Sequence, residues 1–155
     1  MNRMLLGIAA LPLLWLAQPA SGQGSSIAVI VHPTNSVSDI SLDELRRLYM
    51  GSTVLFGARQ QRVALAELES ERMRFYRLVL SMNEDRVKRH WIGLVFAGEA
   101  ATPPETFMTV DDVKQFVASR PGAIAFIPLQ AVDSNVKQLT VEGLPPGHPS
   151  YPLRN

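Results

Sequence analysis

Short apolar runs alternate with amphipathic segments along most of this chain. Ser25–Val31 (SSIAVIV) and the run after Pro121, AIAFIPL, are apolar and nearly continuous, which is typical of buried strands. Val136–Val141 is a further strand candidate, and Arg62–Leu68 is a weaker one that could instead begin a helix. Apolar strands separated by helices need cover on both faces, so the pattern predicts an α/β fold in which helices cover a sheet.

The first predicted helix is Leu42–Met50. Ser41 and Glu44 have the spacing of a capping box, in which each residue satisfies a free backbone N–H of the first turn. Gly51 follows the last turn, where glycine commonly ends helices. This segment therefore carries both a start signal and a stop signal.

Three later helices are predicted from similar signals. Each begins with a polar residue that can cap the first turn: Ser70, Asn83 and Thr109. They are expected to end near Met82, at Gly98 and before Pro121. The apolar stripe of the helix capped by Ser70 would consist of Met73, Tyr76, Val79 and Leu80. Val54–Arg59 is predicted to be a loop or an irregular crossing, and EAATPPET is a predicted loop.

The first 22 residues have the three parts of a secretory signal peptide. Arg3 precedes an apolar run, Leu5–Leu16, and small residues follow at Ala20 and Gly22. The run is too short to cross a bilayer, which needs about 20 residues, so no stable membrane insertion is expected after cleavage. The chain contains no cysteine, so it is not a lipoprotein. We expect a periplasmic protein.

Residues 23–155 are expected to form a single domain with a proline-rich C-terminal tail. Removing 22 of the 155 residues leaves 133, enough for one hydrophobic core but not for two. Arg3 lies in the signal, so the 15 Lys and Arg fall to 14, equal to the 14 Asp and Glu. A net charge of zero gives no long-range attraction to nucleic acid.

The sequence offers no catalytic or metal-binding constellation. His32, His90 and His148 lack the spacing of metal ligands. Asp111 and Asp112 are adjacent, so on a helix they point about 100° apart and are explained as charges of a first turn. Nucleophile, P-loop and dinucleotide motifs are missing from the sequence. We therefore expect a protein that is not an enzyme and uses no cofactor.

Several segments carry a resemblance to a known family. In chain order they are LDELRRLYMGS, HWIGLVFAGEAATPP, VDDVKQFVASRPGAIAFIPL, VKQLTVEGLPP and YPLR. Together they resemble the phosphate-binding proteins of ABC importers, which are type II periplasmic binding proteins, and are most similar to short, single-lobe relatives with a PBP-like domain. The resemblance covers Ile27 to Arg154. It implies the fold of one lobe of such a protein, with a mixed sheet covered by helices.

The resemblance also implies an oxyanion site. Full-length relatives bind an oxyanion between two lobes, and the second lobe contributes an Arg-Ser-x-Gly-Ser-Gly-Thr-like turn that opens a helix. We expect the first lobe to be absent here. The turn lines up with Ala66–Arg72, where a serine stays in place but the glycine and threonine are replaced by Glu71 and Arg72. The candidate binding residues are Ser70, Glu71, Arg72 and Arg74.

Carboxylates crowd this candidate turn. A helix start binds an anion because free N–H groups and the backbone dipole converge on it. Glu67, Glu69 and Glu71 would repel a phosphate there. Three arginines could turn toward the anion and compensate, although a solvated helix face is the simpler interpretation of them: Arg72, Arg74 and Arg77.

Two functions stay open at this point. The first is a non-enzymatic, solute-binding-like module that takes phosphate or another small oxyanion for an ABC-type uptake or sensing system. It would use the rim beside Ser70 and the loop after Val31. The second is an interaction subunit of an envelope complex that has lost ligand binding. Since a single lobe exposes half of a cleft, it would meet an envelope protein partner or form a homo-oligomer.

Overall fold

The computed structural model describes residues 25–52, 63–99 and 102–155. The predicted signal peptide and the predicted loop at Val54–Arg59 lie outside these residues. The strands are β1 Ile27–Val31, β2 Asp39–Ile40, β3 Ala64–Leu68, β4 Glu105–Phe107, β5 Ala123–Pro128, β6 Lys137–Gln138 and β7 Thr140–Val141. The helices are α1 Leu42–Tyr49, α2 Glu69–Phe75, α3 Glu84–Phe96 and α4 Val110–Ala118. A π-helical turn, Tyr76–Leu80, continues α2, and a short 3-10 turn, Leu129–Ala131, follows β5.

The described strands form a mixed sheet in the order β4-β3-β5-β1-β6. β3 runs parallel to β4 and β5, whereas β1 runs antiparallel to β5 and β6. A second, two-stranded sheet joins β2 and β7 in parallel. The predicted mixed sheet covered by helices is therefore confirmed.

Helices cover the large sheet on both faces. On one face, α1, α2 and the π-helical turn lie in one core with β1, β3 and β5, and α3 adds Val87 and Trp91 to it. The aromatic rings of Tyr49, Phe75 and Phe126 pack together within this core. The rings of Phe75 and Phe126 stack with their centroids 3.9 Å apart. On the other face, α4 buries Val113 and Phe116 against the sheet. Alternate residues of each strand point to opposite faces, so continuous apolar strands supply both cores.

Three of the four predicted helix caps are confirmed. The Ser41 side chain accepts a hydrogen bond from the Glu44 N–H, and the Glu44 side chain accepts one from the Ser41 N–H, which completes the capping box. Asn83 caps α3, and Thr109 caps α4. The backbone of each of these residues is extended just before the helix begins, so the side chain can reach the N–H groups of the first turn.

The predicted cap at Ser70 is wrong. β3 continues directly into α2, so the N-cap position falls on Leu68, whose side chain makes no capping hydrogen bond, and Ser70 lies exposed within the first turn. The predicted apolar stripe is also wrong at Met73, which is 70% exposed, while Phe75 is buried. The π-helical turn that follows contributes the rest of the predicted stripe, since Tyr76, Val79 and Leu80 are buried.

The predicted strand and loop boundaries differ at two places. Val136–Val141 is divided between β6 and β7, which belong to different sheets. The segment EAATPPET, expected to be a loop, contains the start of β4, because Glu105–Phe107 pairs with β3 at the edge of the sheet.

The proline-rich tail forms no long element but packs into the core. Tyr151 and Leu153 are buried, and the backbone N–H of Ile27 donates a hydrogen bond of 2.9 Å to the Leu153 carbonyl. In the described part of the chain, no helix combines the length and the apolar character needed to span a bilayer.

Candidate functional site

The candidate site lies where β3 ends and α2 begins. Leu68 ends the strand and Glu69 begins the helix, so no loop separates the buried sheet from the predicted binding residues. This direct transition fixes the start of α2 relative to the sheet. The four candidates Ser70, Glu71, Arg72 and Arg74 all fall in α2, but the structure gives them different surroundings.

Arg72 lies between two carboxylates from other elements. Its Nη1 is 3.5 Å from Oε1 of Glu67 in β3, and its Nη2 donates a hydrogen bond to Oε1 of Glu84, the first residue of α3. The Arg72 side chain is only 19% exposed. A solvated helix face is therefore the wrong interpretation for this residue, because its charge is matched inside the protein.

Arg74 has a different partner. Its Nη2 lies 3.0 Å from Oε2 of Glu71, one turn earlier in α2, and both side chains are 15% exposed. The solvated-face interpretation is wrong here too, whereas Arg77 is exposed as expected. Ser70 is exposed and does not cap the helix. Glu71 and Arg74 thus form one ion pair, and Arg72 forms another with residues that the candidate set did not include.

Glu67 is the centre of a buried hydrogen-bond network. It is 4% exposed, and its carboxylate accepts hydrogen bonds from the Tyr76 hydroxyl and from Oγ1 of Thr106, the latter at 2.8 Å. Burial, followed by the hydrogen bond to Glu67, raises the pKa of Tyr76 well above its ordinary value. The network connects β3, β4, α2 and the π-helical turn.

Sequence reasoning treated Glu67 only as a source of repulsion. Glu67 lies two residues after Leu65, so both point to the same face of β3, and Leu65 is buried in the core that the helices cover. An acid on the buried face of a strand needs partners in the structure. The position of Glu67 two residues after Leu65 was therefore the signal in the sequence that indicated this network.

An open groove of about 400 Å³ begins at this network, and we call it the α3 groove. Its charged end is formed by Glu67, Arg72, Tyr76 and Glu84, and Lys88 lies along it. Its apolar lining consists of Val87, Trp91, Ile92, Val95, Phe96, Pro103 and Pro104. Three of these side chains are large, apolar and exposed: Ile92, Val95 and Phe96. The groove can therefore contact both a charged group and a hydrocarbon surface.

The loop after β1 does not lie beside Ser70, contrary to expectation. Val31, at the end of β1, pairs with Ile124, and Ile124 also pairs with Leu65, near the start of β3. Because β1 and β3 run in opposite directions, the chain leaves Val31 toward one edge of the sheet while Ser70 follows the other end of β3. The spacing of apolar residues does not depend on the direction in which a strand runs in the sheet. It therefore could not predict that the loop after β1 and Ser70 lie at opposite ends of the sheet.

Metal binding finds no support in the described ranges. Among residues 25–52, 63–99 and 102–155, no group of three or more histidine, aspartate or glutamate side chains is arranged to hold a metal ion. The carboxylates at the charged end of the α3 groove contact arginine, tyrosine and threonine instead.

The fold is similar to that of solved phosphate-binding proteins. An ABC-type phosphate transport receptor from Vibrio cholerae matches with a TM-score of 0.63 and 20% identity, over 79% of this chain and 48% of that one. PstS from Borrelia burgdorferi matches with a TM-score of 0.63 and 13% identity, over 84% of this chain and 55% of that one. Neither a protein-family model nor a curated protein matches the chain. The chain spans about half the length of these solved structures. The predicted fold, that of one lobe of a phosphate-type substrate-binding protein, is therefore confirmed.

Proposed function

We propose that the chain is an exported, non-enzymatic binding module whose ligand surface is the region around α2 and the α3 groove. The observation that carries this proposal is the concentration of charged side chains beside an exposed apolar surface at one end of β3. In this proposal residues 1–22 are a signal peptide, residues 23–155 form a single PBP-like domain, and the mature protein is periplasmic. Its chemistry is recognition, because a groove with a few polar groups on an apolar surface suits binding.

The first ligand class is phosphate or another small oxyanion, taken up or sensed with an ABC-type transporter. The similarity in fold to an ABC-type phosphate transport receptor supports this class. Arg72 and Arg74 supply two guanidinium groups within α2, at or just after the segment that the resemblance aligns with the anion-binding turn of full-length relatives. An oxyanion would replace the carboxylates of Glu71 and Glu84 as their partners.

The second candidate is an interaction subunit that meets an envelope protein or its own copy. Two observations favour it. Both arginines already have carboxylate partners, and three carboxylates stand against two guanidinium groups: Glu67, Glu71 and Glu84 against Arg72 and Arg74. The second observation is the exposed apolar side chains of α3, because such surfaces commonly mark interaction sites.

Calorimetric titration separates the two candidates. Residues 23–155 would be titrated with phosphate, sulfate and related oxyanions, and light scattering would give the mass. Saturable heat with one of these anions supports the first candidate, and no heat with any of them at millimolar concentration contradicts it. A strict monomer that copurifies with no envelope protein counts against the second candidate.

A further inference from the structure

We propose that the α3 groove binds a small organic cation, meaning an ammonium or guanidinium head group on an apolar body. The inference rests on the proposed function, in that it treats the chain as a binding module, and it names a ligand class that differs from an oxyanion. The apolar body would lie along α3, and the head group would lie beside Glu84.

The walls of the groove include large apolar side chains that are exposed to solvent. Ile92, Val95 and Phe96 follow one another at helical spacing on the same side of α3, and Phe96 is 87% exposed. Pro103 and Pro104 belong to the lining as well. Transferring this surface out of water is favourable, and a hydrocarbon or aromatic body would cover it.

The groove has the size of a small-molecule site. A volume of about 400 Å³ is within the range of small-molecule sites, roughly 300–1,000 Å³. Trp91, which is buried, adds an aromatic surface to the lining. The groove therefore suits a single aromatic or branched aliphatic group with a short tether to its head group.

The charged end of the groove carries more carboxylates than guanidinium groups. Glu67 and Glu84 contribute two carboxylates, and the one guanidinium between them belongs to Arg72. Glu67 is buried and already accepts hydrogen bonds from the Tyr76 and Thr106 hydroxyls. Glu84 differs, because its side chain is 44% exposed and the hydrogen bond from Arg72 goes to its Oε1. The second oxygen of Glu84 can accept a hydrogen bond from a cationic head group.

Among the described residues that line the groove, Lys88 is the cation besides Arg72. It lies one turn after Glu84 on α3 and is exposed, so water and salt screen its charge. Glu67, which is 4% exposed, is screened less than Lys88, while Glu84, at 44% exposed, is screened in part. A cation beside Glu84 is therefore favoured over an anion at the same position, and Lys88 is expected to contribute little to the choice.

A matched set of probes tests the proposal on the full chain. Phenylpropylammonium, phenylpropanol and phenylpropanoate share one apolar body and differ in the charge of the head group. Titration followed by calorimetry is expected to show the ammonium binding about tenfold more tightly than the propanoate, with the alcohol between them. Equal or tighter binding of the propanoate would overturn the proposal.

Variants locate the site and separate its two parts. Phe96→Ala is expected to weaken all three probes, because the exposed ring covers their common body. Glu84→Gln is expected to weaken only the ammonium, because it removes the carboxylate charge that faces the head group. Met73→Ala removes an exposed apolar side chain that does not line the groove, so it serves as the control. Unchanged binding in Phe96→Ala, or equal losses in Met73→Ala, would overturn the assignment to this groove.

The proposal and the oxyanion function fail in different ways. Ammonium binding without any phosphate binding would reject the oxyanion candidate and leave the groove assignment standing. Phosphate binding with no ammonium preference would reject the groove assignment alone. Phosphate titration of the same Phe96→Ala sample checks the second case, because an oxyanion held by the arginines does not need the exposed ring.

Discussion

The hydroxyl of Tyr76 donates a hydrogen bond to the buried carboxylate of Glu67 and so joins the π-helical turn to the end of β3. Tyr76→Phe keeps the ring but removes the donor. We expect this change to lower the free energy of unfolding by about 1–3 kcal/mol, because a hydrogen bond to a charged group is lost inside the protein. Urea unfolding at neutral pH measures it. A difference close to zero would mean that the contact adds nothing to stability.

The same tyrosine makes stability depend on alkaline pH. Burial and the bond to Glu67 raise the folded-state pKa of Tyr76 above its ordinary value of 10.0, so folding favours the neutral hydroxyl. That contribution is complete below pH 10.0 and declines as the pH rises above it. The wild-type protein is therefore expected to lose stability more steeply than Tyr76→Phe above this pH. Parallel loss in both proteins would contradict the assignment to this residue.

Gly51 is required by both its backbone and its surroundings. Its φ is +83°, and a Cβ at this position would lie 2.8 Å from Cδ1 of Leu94 and 3.2 Å from the Trp91 ring. Gly98, at φ +70°, has nothing within 4 Å of the same position. We expect Gly98→Ala to cost about 1 kcal/mol from the backbone alone and Gly51→Ala to cost more. Thermal unfolding of both variants compares them, and equal costs would exclude a steric contribution at Gly51.

Ser70 and Asn83 differ in what they do at a helix start. Asn83→Ala removes the side chain that accepts a hydrogen bond from the Arg86 N–H and is expected to cost about 1 kcal/mol. Ser70→Ala removes no cap and should change the stability by less than about 0.5 kcal/mol. Urea unfolding of the pair decides this. If Ser70→Ala lowers the free energy of unfolding as much as Asn83→Ala does, Ser70 caps α2 after all.

Glu71 competes with any anion for Arg74. Glu71→Gln removes the charge that lies 3.0 Å from the Arg74 guanidinium while keeping the size of the side chain. We expect phosphate to bind this variant severalfold more tightly than it binds the wild type, as measured by calorimetry. Glu69→Gln, an exposed neighbour in the same turn, is the matched control and is expected to have little effect. If neither variant gains affinity, the carboxylate of Glu71 is not the obstacle.

The predictable parts of the structure depend on neighbours in sequence. Ser41, Asn83 and Thr109 start helices through hydrogen bonds that span three residues, so their roles are visible in the sequence. Ile27–Val31 is apolar enough to require burial wherever the sheet lies. The overall lobe fold was predicted by the resemblance, which draws on segments distributed over the whole domain.

The candidate site was less predictable because its contacts join distant segments. Arg72 is neutralised by Glu67 and Glu84, which come from a strand and from another helix. A helical pattern cannot show such partners, so Arg72 looked like a surface residue. Helical spacing placed Met73 on the buried stripe because it lies three residues before Tyr76, but Met73 is 70% exposed and Phe75 is the buried residue of α2.

The C-terminal tail holds β1 in place through a backbone hydrogen bond and buried side chains. Leu153 accepts the hydrogen bond of the Ile27 N–H, and its side chain is buried along with that of Tyr151. A protein cut back to residue 147 would lose this backbone bond together with the burial of two large side chains, each worth about 1.5–3 kcal/mol. Removing the end of the proline-rich tail would therefore expose the part of the core beside β1 to solvent.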